Sequence, residues 1–215
     1  MADTGTGTVA AAGFRVTVGG LPEPPPPSLD PYLDAAVRCF VRHGVSRTSV
    51  QDVAAEMKVN RTTVYRQVGN VGSMLRLVKA RALNRIVVRA LTRAQASEIS
   101  ARSVADLMTE LIEMVRADPV VRKVLADEMH LVGTLLEDLP EMIDRVVASV
   151  TAPMEAAMEA GILARRDARV VAEWMIRIAA TCIVAPPPGD LGTFLAEVVV
   201  PVLTPPIVGG GHRSR

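Results

Sequence analysis

Between residues 30 and 68 the apolar side chains fall at intervals that a set of short helices satisfies. Leu33, Ala36, Val37, Phe40 and Val41 recur at i, i+3, i+4, i+7 and i+8, behind a capping segment at Ser28 to Asp30. The stripe ends at Gly44, a residue suited to close a helix in a left-handed conformation. Thr48 or Ser49 then caps a second, short helix whose inner face is Val50, Val53, Ala54 and Met57. After a connection around Lys58 and Val59, Asn60 caps a third helix from Arg61 to about Gln67, with Val64 facing inward. A longer helix followed by two short ones across a tight turn is the framework that presents one helix to a DNA groove. Generic amphipathic helices produce the same periodicity, so spacing alone leaves both readings open.

The rest of the chain is also predicted to be helical. Hydrophobic residues make up 49% of it and aromatic residues only 3%, which favours helix packed on helix over a β-sandwich. From Ser73 a long helix carries Leu75, Val78, Ala82 and Ile86 on one side and Arg76, Lys79, Arg81, Arg85, Arg89 and Arg93 on the others. Further helices are expected at about 103–116, 119–136, 140–160, 168–185 and 191–203. They are separated by Asp118-Pro119, Leu139-Pro140, Gly161 and Pro186 to Gly189. The expected fold class is therefore all-α, with a three-helix head over 29–72 and a larger helical domain over 73–203. Residues 1–28, with the run Pro24 to Pro27, and 204–215, with Gly209 to Gly211, read as disordered arms.

No apolar run is long enough to span a bilayer, and the N-terminus lacks the basic start and apolar stretch of an export signal. Cys39 and Cys182 sit in apolar helical patterns, which fits two buried thiols in a reducing cytoplasm. Net charge is only +1, but the signs are segregated. Residues 30–93 hold 12 Lys and Arg against 4 Asp and Glu, whereas residues 94–203 hold 9 against 17. A basic unit joined to an acidic one implies that the first meets a polyanion and the second has another task.

The stretch from Tyr32 to Gly44, then Thr48-Ser49-Val50, Val53-Ala54, Val59-Asn60 and Val64-Tyr65-Arg66, resembles the N-terminal domain of the tetracycline-repressor (TetR) family. The match runs in register without a gap. Lys58 stands where many members have Gly, so the turn must accept a side chain, and Val68 stands where Phe is common. Val71 replaces the Lys that usually opens the fourth helix and binds a phosphate, a role left to Arg66 or Lys58, or lost.

The resemblance implies double-stranded DNA as partner, with the third helix in the major groove and Arg61, Thr62 and Thr63 reading base edges. Arg can donate two hydrogen bonds to guanine, and Thr can bond a base edge or pack against a thymine methyl. Tyr65 corresponds to a phosphate-contacting hydroxyl of the family. Thr48 with the amides it caps, Lys58, Asn60 and Arg66 complete the expected interface, while Arg47 is a surface charge beside it.

For the second domain the resemblance implies a homodimer and a pocket for a small-molecule effector. The two final helices, with Trp174, Ile178, Cys182, Leu195, Val198 and Val202, are the expected interface. Dimerisation places two reading helices on a near-palindromic operator. Met108, Leu111, Ile112, Val115, Met129, Met142 and Val146 are the expected pocket lining, flexible thioethers suiting an apolar effector, although such a stripe also serves as plain core. Repression relieved by ligand is the expected pattern of regulation.

Catalytic and cofactor motifs are missing. Asp127, Glu128 and His130 lie close together but lack the ligand number and spacing of a metal site, and they read as a surface Asp-Glu pair beside a partly buried His. No nucleophile elbow, phosphate-cradling Gly loop or dinucleotide fingerprint occurs, so neither an enzyme nor a cofactor is expected. The competing class is a helical ligand- or partner-binding module whose helix-turn-helix no longer reads DNA.

Overall fold

The computed structural model describes residues 8–11, 14–17, 23–94, 98–137 and 139–206. The head consists of α1 (Asp30–His43), α2 (Val50–Met57) and α3 (Arg61–Val68), followed by α4 (Val71–Ala94). The second domain continues through α5 (Ala101–Ala117), α6 (Pro119–Asp127), α7 (Val132–Leu136), α8 (Leu139–Glu159), α9 (Ala168–Val184) and α10 (Leu191–Leu203). The all-α class is what the structure shows.

Local signals explain most boundaries. Ser100 caps α5 in a reciprocal box with Ser103, Asp118 caps α6 through the amides of Val120 and Val121, and Asp167 and Asp190 cap α9 and α10. Asn70 Oδ1 accepts from the Ser73 amide at 2.9 Å, so α4 starts at Val71, ahead of the expected Ser73. The stretch expected as one helix over 119–136 is broken at Glu128, where a 3-10 turn, Met129–Leu131, intervenes before α7.

The first 28 residues are not wholly irregular. Thr8–Ala11 (β1) and Phe14–Thr17 (β2) pair antiparallel, Val9 opposite Val16. The β-branched residues and Phe favour strand, and a two-residue separation is hairpin length. Pro26 keeps the extended backbone expected of the proline run, φ −59° and ψ 143°, and Pro27 opens a 3-10 turn leading into α1. At the other end Thr204 to Pro206 follow α10, and the rest of the expected tail lies outside the described residues.

Two cores hold the molecule. The first gathers Leu33, Ala36, Phe40, Val53, Ala54, Val64 and Val68 from the head with Met74, Leu75 and Val78 of α4 and Val120 and Val124 of α6. The head's core therefore extends past residue 72 in both sequence and space. Arg81 of α4, only 7% exposed, reaches back to the first turns of α1, to Asp30 at 2.7 Å and Asp34 at 2.8 Å. The second core joins Ala105, Met108 and Ile112 of α5 to Ile143, Val147, Met154 and Met158 of α8, Ala172 and Cys182 of α9, and Leu195, Val199 and Leu203 of α10. Arg116 of α5 ties these helices further by donating to the carbonyls of Ile183 and Cys182 at the end of α9.

Cys39 and Cys182 are buried free thiols, and burial raises the pKa of each. Among the described residues no helix is long and apolar enough to cross a membrane.

Candidate nucleic-acid interface

The position of α3 is set by its own ends and those of α2. Ser49, not Thr48, caps α2: its hydroxyl accepts from the Asp52 amide, and Asp52 Oδ2 accepts from the Ser49 amide at 2.7 Å. Hydrogen bonds from Ser49 hold the Asp52 carboxyl below its ordinary pKa. Thr48 is 6% exposed and donates its hydroxyl to the Gly44 carbonyl at 2.7 Å. Its expected role as cap and phosphate contact is therefore corrected: both the hydroxyl and the burial serve the α1–α2 turn.

The α2–α3 turn closes on Lys58, which has φ 56° and ψ 41°, a left-handed conformation found at no other non-glycine among the described residues. The Lys58 and Val59 amides donate back to Ala55 and Ala54, the pattern in which glycine is favoured because it has no Cβ to crowd the carbonyl. Asn60 occupies the cap position of α3, but its side chain makes no capping hydrogen bond. It is exposed instead.

On α3 the buried side is Val64 and Val68, packed into the first core. Arg61, Thr62 and Arg66 are exposed, Thr63 is half-buried, and Tyr65 is 57% exposed. Lys58, Asn60, Arg61, Thr62, Tyr65 and Arg66 thus lie together around the outer surface of α3 and its leading turn, with Thr63 at the edge. Val71 is half-buried against the first core, and the first cation along α4 is Arg76, exposed and donating to Ser73 Oγ at 3.1 Å. Arg47 is exposed beside α2, its Nε donating to the His43 carbonyl at 2.8 Å, and with Arg42, His43 and Asp52 it lines a shallow cleft. Behind the interface Glu56 of α2 receives Arg38 at 2.6 Å and Arg42 at 3.0 Å from α1, fixing the angle between these helices.

Glu128 is the residue that sequence reasoning misplaced. It is 6% exposed rather than on the surface, and its carboxylate accepts from the Val45 amide at 2.7 Å and the Ser46 amide at 2.9 Å. His130 is exposed, its Nε2 lying 3.2 Å from Ser46 Oγ, and Asp127 is exposed and paired with Lys123. Burial raises the Glu128 pKa, but hydrogen bonds from Ser46 and Val45 and the neighbouring His130 more than offset it, so the group sits below its ordinary value. Two adjacent acids at 127 and 128 look alike in sequence; only the helix end at Asp127 distinguishes them.

Residues 33–70 match the model of the bacterial regulatory proteins of the tetR family. The head is thus a TetR-type N-terminal domain. The solved structures extend the likeness of fold to most of the chain. A TetR-family transcriptional regulator from Pectobacterium atrosepticum superposes with a TM-score of 0.63 at 19% identity, covering 81% of this chain and 89% of that one. FadR from Bacillus subtilis, in complex with stearoyl-CoA, gives 0.61 at 15% identity over 80% and 97%. AibR, in complex with isovaleryl coenzyme A and operator DNA, gives 0.53 at 19% identity over 82% and 97%. No curated protein sequence matches the chain.

The residues expected to line a pocket divide. Met108 and Ile112 are buried in the second core, and Leu111 and Val115 are half-buried on α5. On α8 the core register is Ile143 and Val147, one residue away from the expected Met142 and Val146, which are half-buried outside it. Met129 is 54% exposed on the 3-10 turn, where the break in the helix turns it outward, so it is removed from the lining. Of the expected interface residues, Cys182 and Leu195 belong to the chain's own core at 4% and 0% exposure and are removed too. Trp174, Ile178, Val198 and Val202 are half-buried. They fall in two i, i+4 stripes, Val170, Trp174 and Ile178 on α9 and Phe194, Val198 and Val202 on α10, and sequence reasoning overlooked the exposed Val170 and Phe194.

Proposed function

We propose that this chain is a homodimeric repressor that acts in the cytoplasm, holds a near-palindromic operator through α3, and releases it when a small apolar ligand occupies the second domain. The observation that carries the reading is the polar outer surface of α3: Arg61, Thr62, Tyr65 and Arg66 are exposed on a short helix whose opposite side is locked into the core. Arg61 suits bidentate donation to guanine, and Thr62 and Thr63 suit a base edge or a thymine methyl. Tyr65, Arg66, Lys58 and Asn60 supply phosphate contacts that fix register without reading sequence.

Dimerisation is supported by the two apolar stripes on α9 and α10, in which Val170 and Phe194 are exposed and Trp174, Ile178, Val198 and Val202 are only half-buried, since such apolar surface favours burial against a second copy. The effector is supported by the half-buried Leu111, Val115, Met142 and Val146 and by two relatives whose structures contain acyl coenzyme A esters. Acyl coenzyme A thioesters are therefore the first ligands to try. The protein's role is binding, with no covalent step assigned to any residue.

The test is binding of the full chain to a pool of genomic fragments, with salt varied and scrambled duplex as control. The expected result is one near-palindromic fragment bound at least about a thousandfold above scrambled DNA, with release by an acyl coenzyme A ester. Weak binding that is equal for all sequences and vanishes at physiological salt overturns the reading.

A further inference from the structure

The carboxylate of Glu128 sits where an anion would sit in a backbone nest. The α1–α2 turn presents two consecutive amides, Val45 and Ser46, and each is taken by a different oxygen of one side chain more than 80 residues further along the chain. Gly44 makes the approach possible. It has φ 87°, and a Cβ built there would lie 2.9 Å from the Glu128 carboxyl carbon, too close for any real side chain. His130 adds a contact to the Ser46 hydroxyl, and Val120 and Val124 of α6 are packed into the head's own core. The end of α6 is thus fastened to the turn that leads into α2, the helix on which the reading helix α3 rests.

We infer that Glu128 is a positioning residue for DNA reading: its carboxylate, seated on the Val45 and Ser46 amides, fixes the orientation of the head on the second domain and thereby sets operator affinity. This rests on the regulator reading above. A carboxylate bonded to two amides is directional, whereas the apolar contacts of Val120 and Val124 hold α6 close without fixing its rotation. Removing the carboxylate leaves two buried or half-buried amides without an acceptor and frees the turn to shift, so a head that was pre-set must be ordered on binding.

The experiment compares the full chain with its Glu128→Gln and Asp127→Asn variants. Amide exchange is followed at Val45 and Ser46, and affinity is measured for the best genomic fragment and for scrambled duplex, across salt. In Glu128→Gln the two amides are expected to exchange at least about tenfold faster. Specific affinity is expected to fall at least about fivefold, while affinity for scrambled duplex and the salt slope stay the same, because the cations themselves are untouched. Partial unfolding would lower both affinities, so this pattern separates positioning from mere stability. Asp127→Asn is expected to match the parent chain. Should Glu128→Gln fail to fold, Glu128→Asp, charged but one methylene short of spanning both amides, is read in the same way. Unchanged exchange, or specific affinity within twofold of the parent, overturns the inference. A parent chain that prefers no fragment overturns the regulator reading instead, and this inference falls with it.

Discussion

The head and the second domain are built from the same kind of element, yet they encode it differently. In the head each helix has 8 to 14 residues, and its ends are fixed by residues beside them: the Ser49 and Asp52 box, the positive φ of Gly44, and the left-handed turn at Lys58. In the second domain α8 runs for 21 residues, and its inward face is decided by partners far away in the chain. Local coding makes a short, rigid platform on which the proposed base-reading residues hold their places, and non-local coding leaves faces whose use depends on what they meet.

The joint between the two regions is where the comparison is most easily broken. Arg81 brings a guanidinium that is almost wholly buried to two aspartates that are 40% and 55% exposed. Arg81→Leu keeps the packing of the stem but takes the buried cation from both carboxylates on α1, leaving Asp30 with only the more distant Arg85 at 3.8 Å. We expect a loss of about 3 kcal/mol in a denaturant titration, at the low end for a broken buried pair because the aspartates can rehydrate. An unchanged midpoint would mean that α4 is held to the head by its apolar face alone.

Next in size is Arg61, the proposed reading residue. Arg61→Ala is expected to lower operator affinity by about 2 kcal/mol, roughly thirtyfold, and to relax base choice at one position of each half-site. Affinity that falls equally for operator and scrambled duplex would reassign Arg61 to a phosphate. Thermal stability should hardly change, since the side chain is exposed.

Acid should loosen the joint before it harms the reading surface. Glu128 lies below its ordinary pKa of 4.5 in the folded chain, so its contribution is complete above that value and is lost as pH falls through the lower folded value. Glu128→Gln should therefore flatten the acid limb of the stability curve while leaving the neutral-to-alkaline limb parallel to that of the parent. An acid limb of undiminished slope would place the titration in other carboxyls, of which Asp52 and Glu56 are also lowered.

These contrasts also explain what the sequence made legible. The head could be read to within a residue or two because glycine, capping and apolar spacing act over distances shorter than one helix. Even so, Thr48 and Ser49 are both competent caps, and only the buried hydrogen bond to Gly44 separates them. On α8, Met142, Ile143, Val146 and Val147 form two adjacent apolar stripes, so periodicity had no means of choosing the inner one. Glu128 was illegible for a different reason, since the amides that donate to it come from a turn formed by another part of the chain. Ser49→Ala sharpens the local side of the comparison: losing the cap of α2 should cost about 1 kcal/mol, with affinity falling only as far as α3 is tilted.

The smallest expected effect concerns the one place where the head departs from its own local logic. Lys58 holds a left-handed backbone at a cost of about 1 kcal/mol for a residue with a Cβ. Lys58→Gly removes that cost but adds freedom to the unfolded chain, so the net gain in stability should be only about 0.5 kcal/mol. DNA affinity decides why the strain is kept. If Lys58 touches a phosphate, in place of the cation missing at Val71, the variant should gain stability, bind all duplexes more weakly and show a salt slope lower by about one unit. A variant that is more stable and binds equally well, with the same slope, would show that the turn tolerates Lys58 without using its charge.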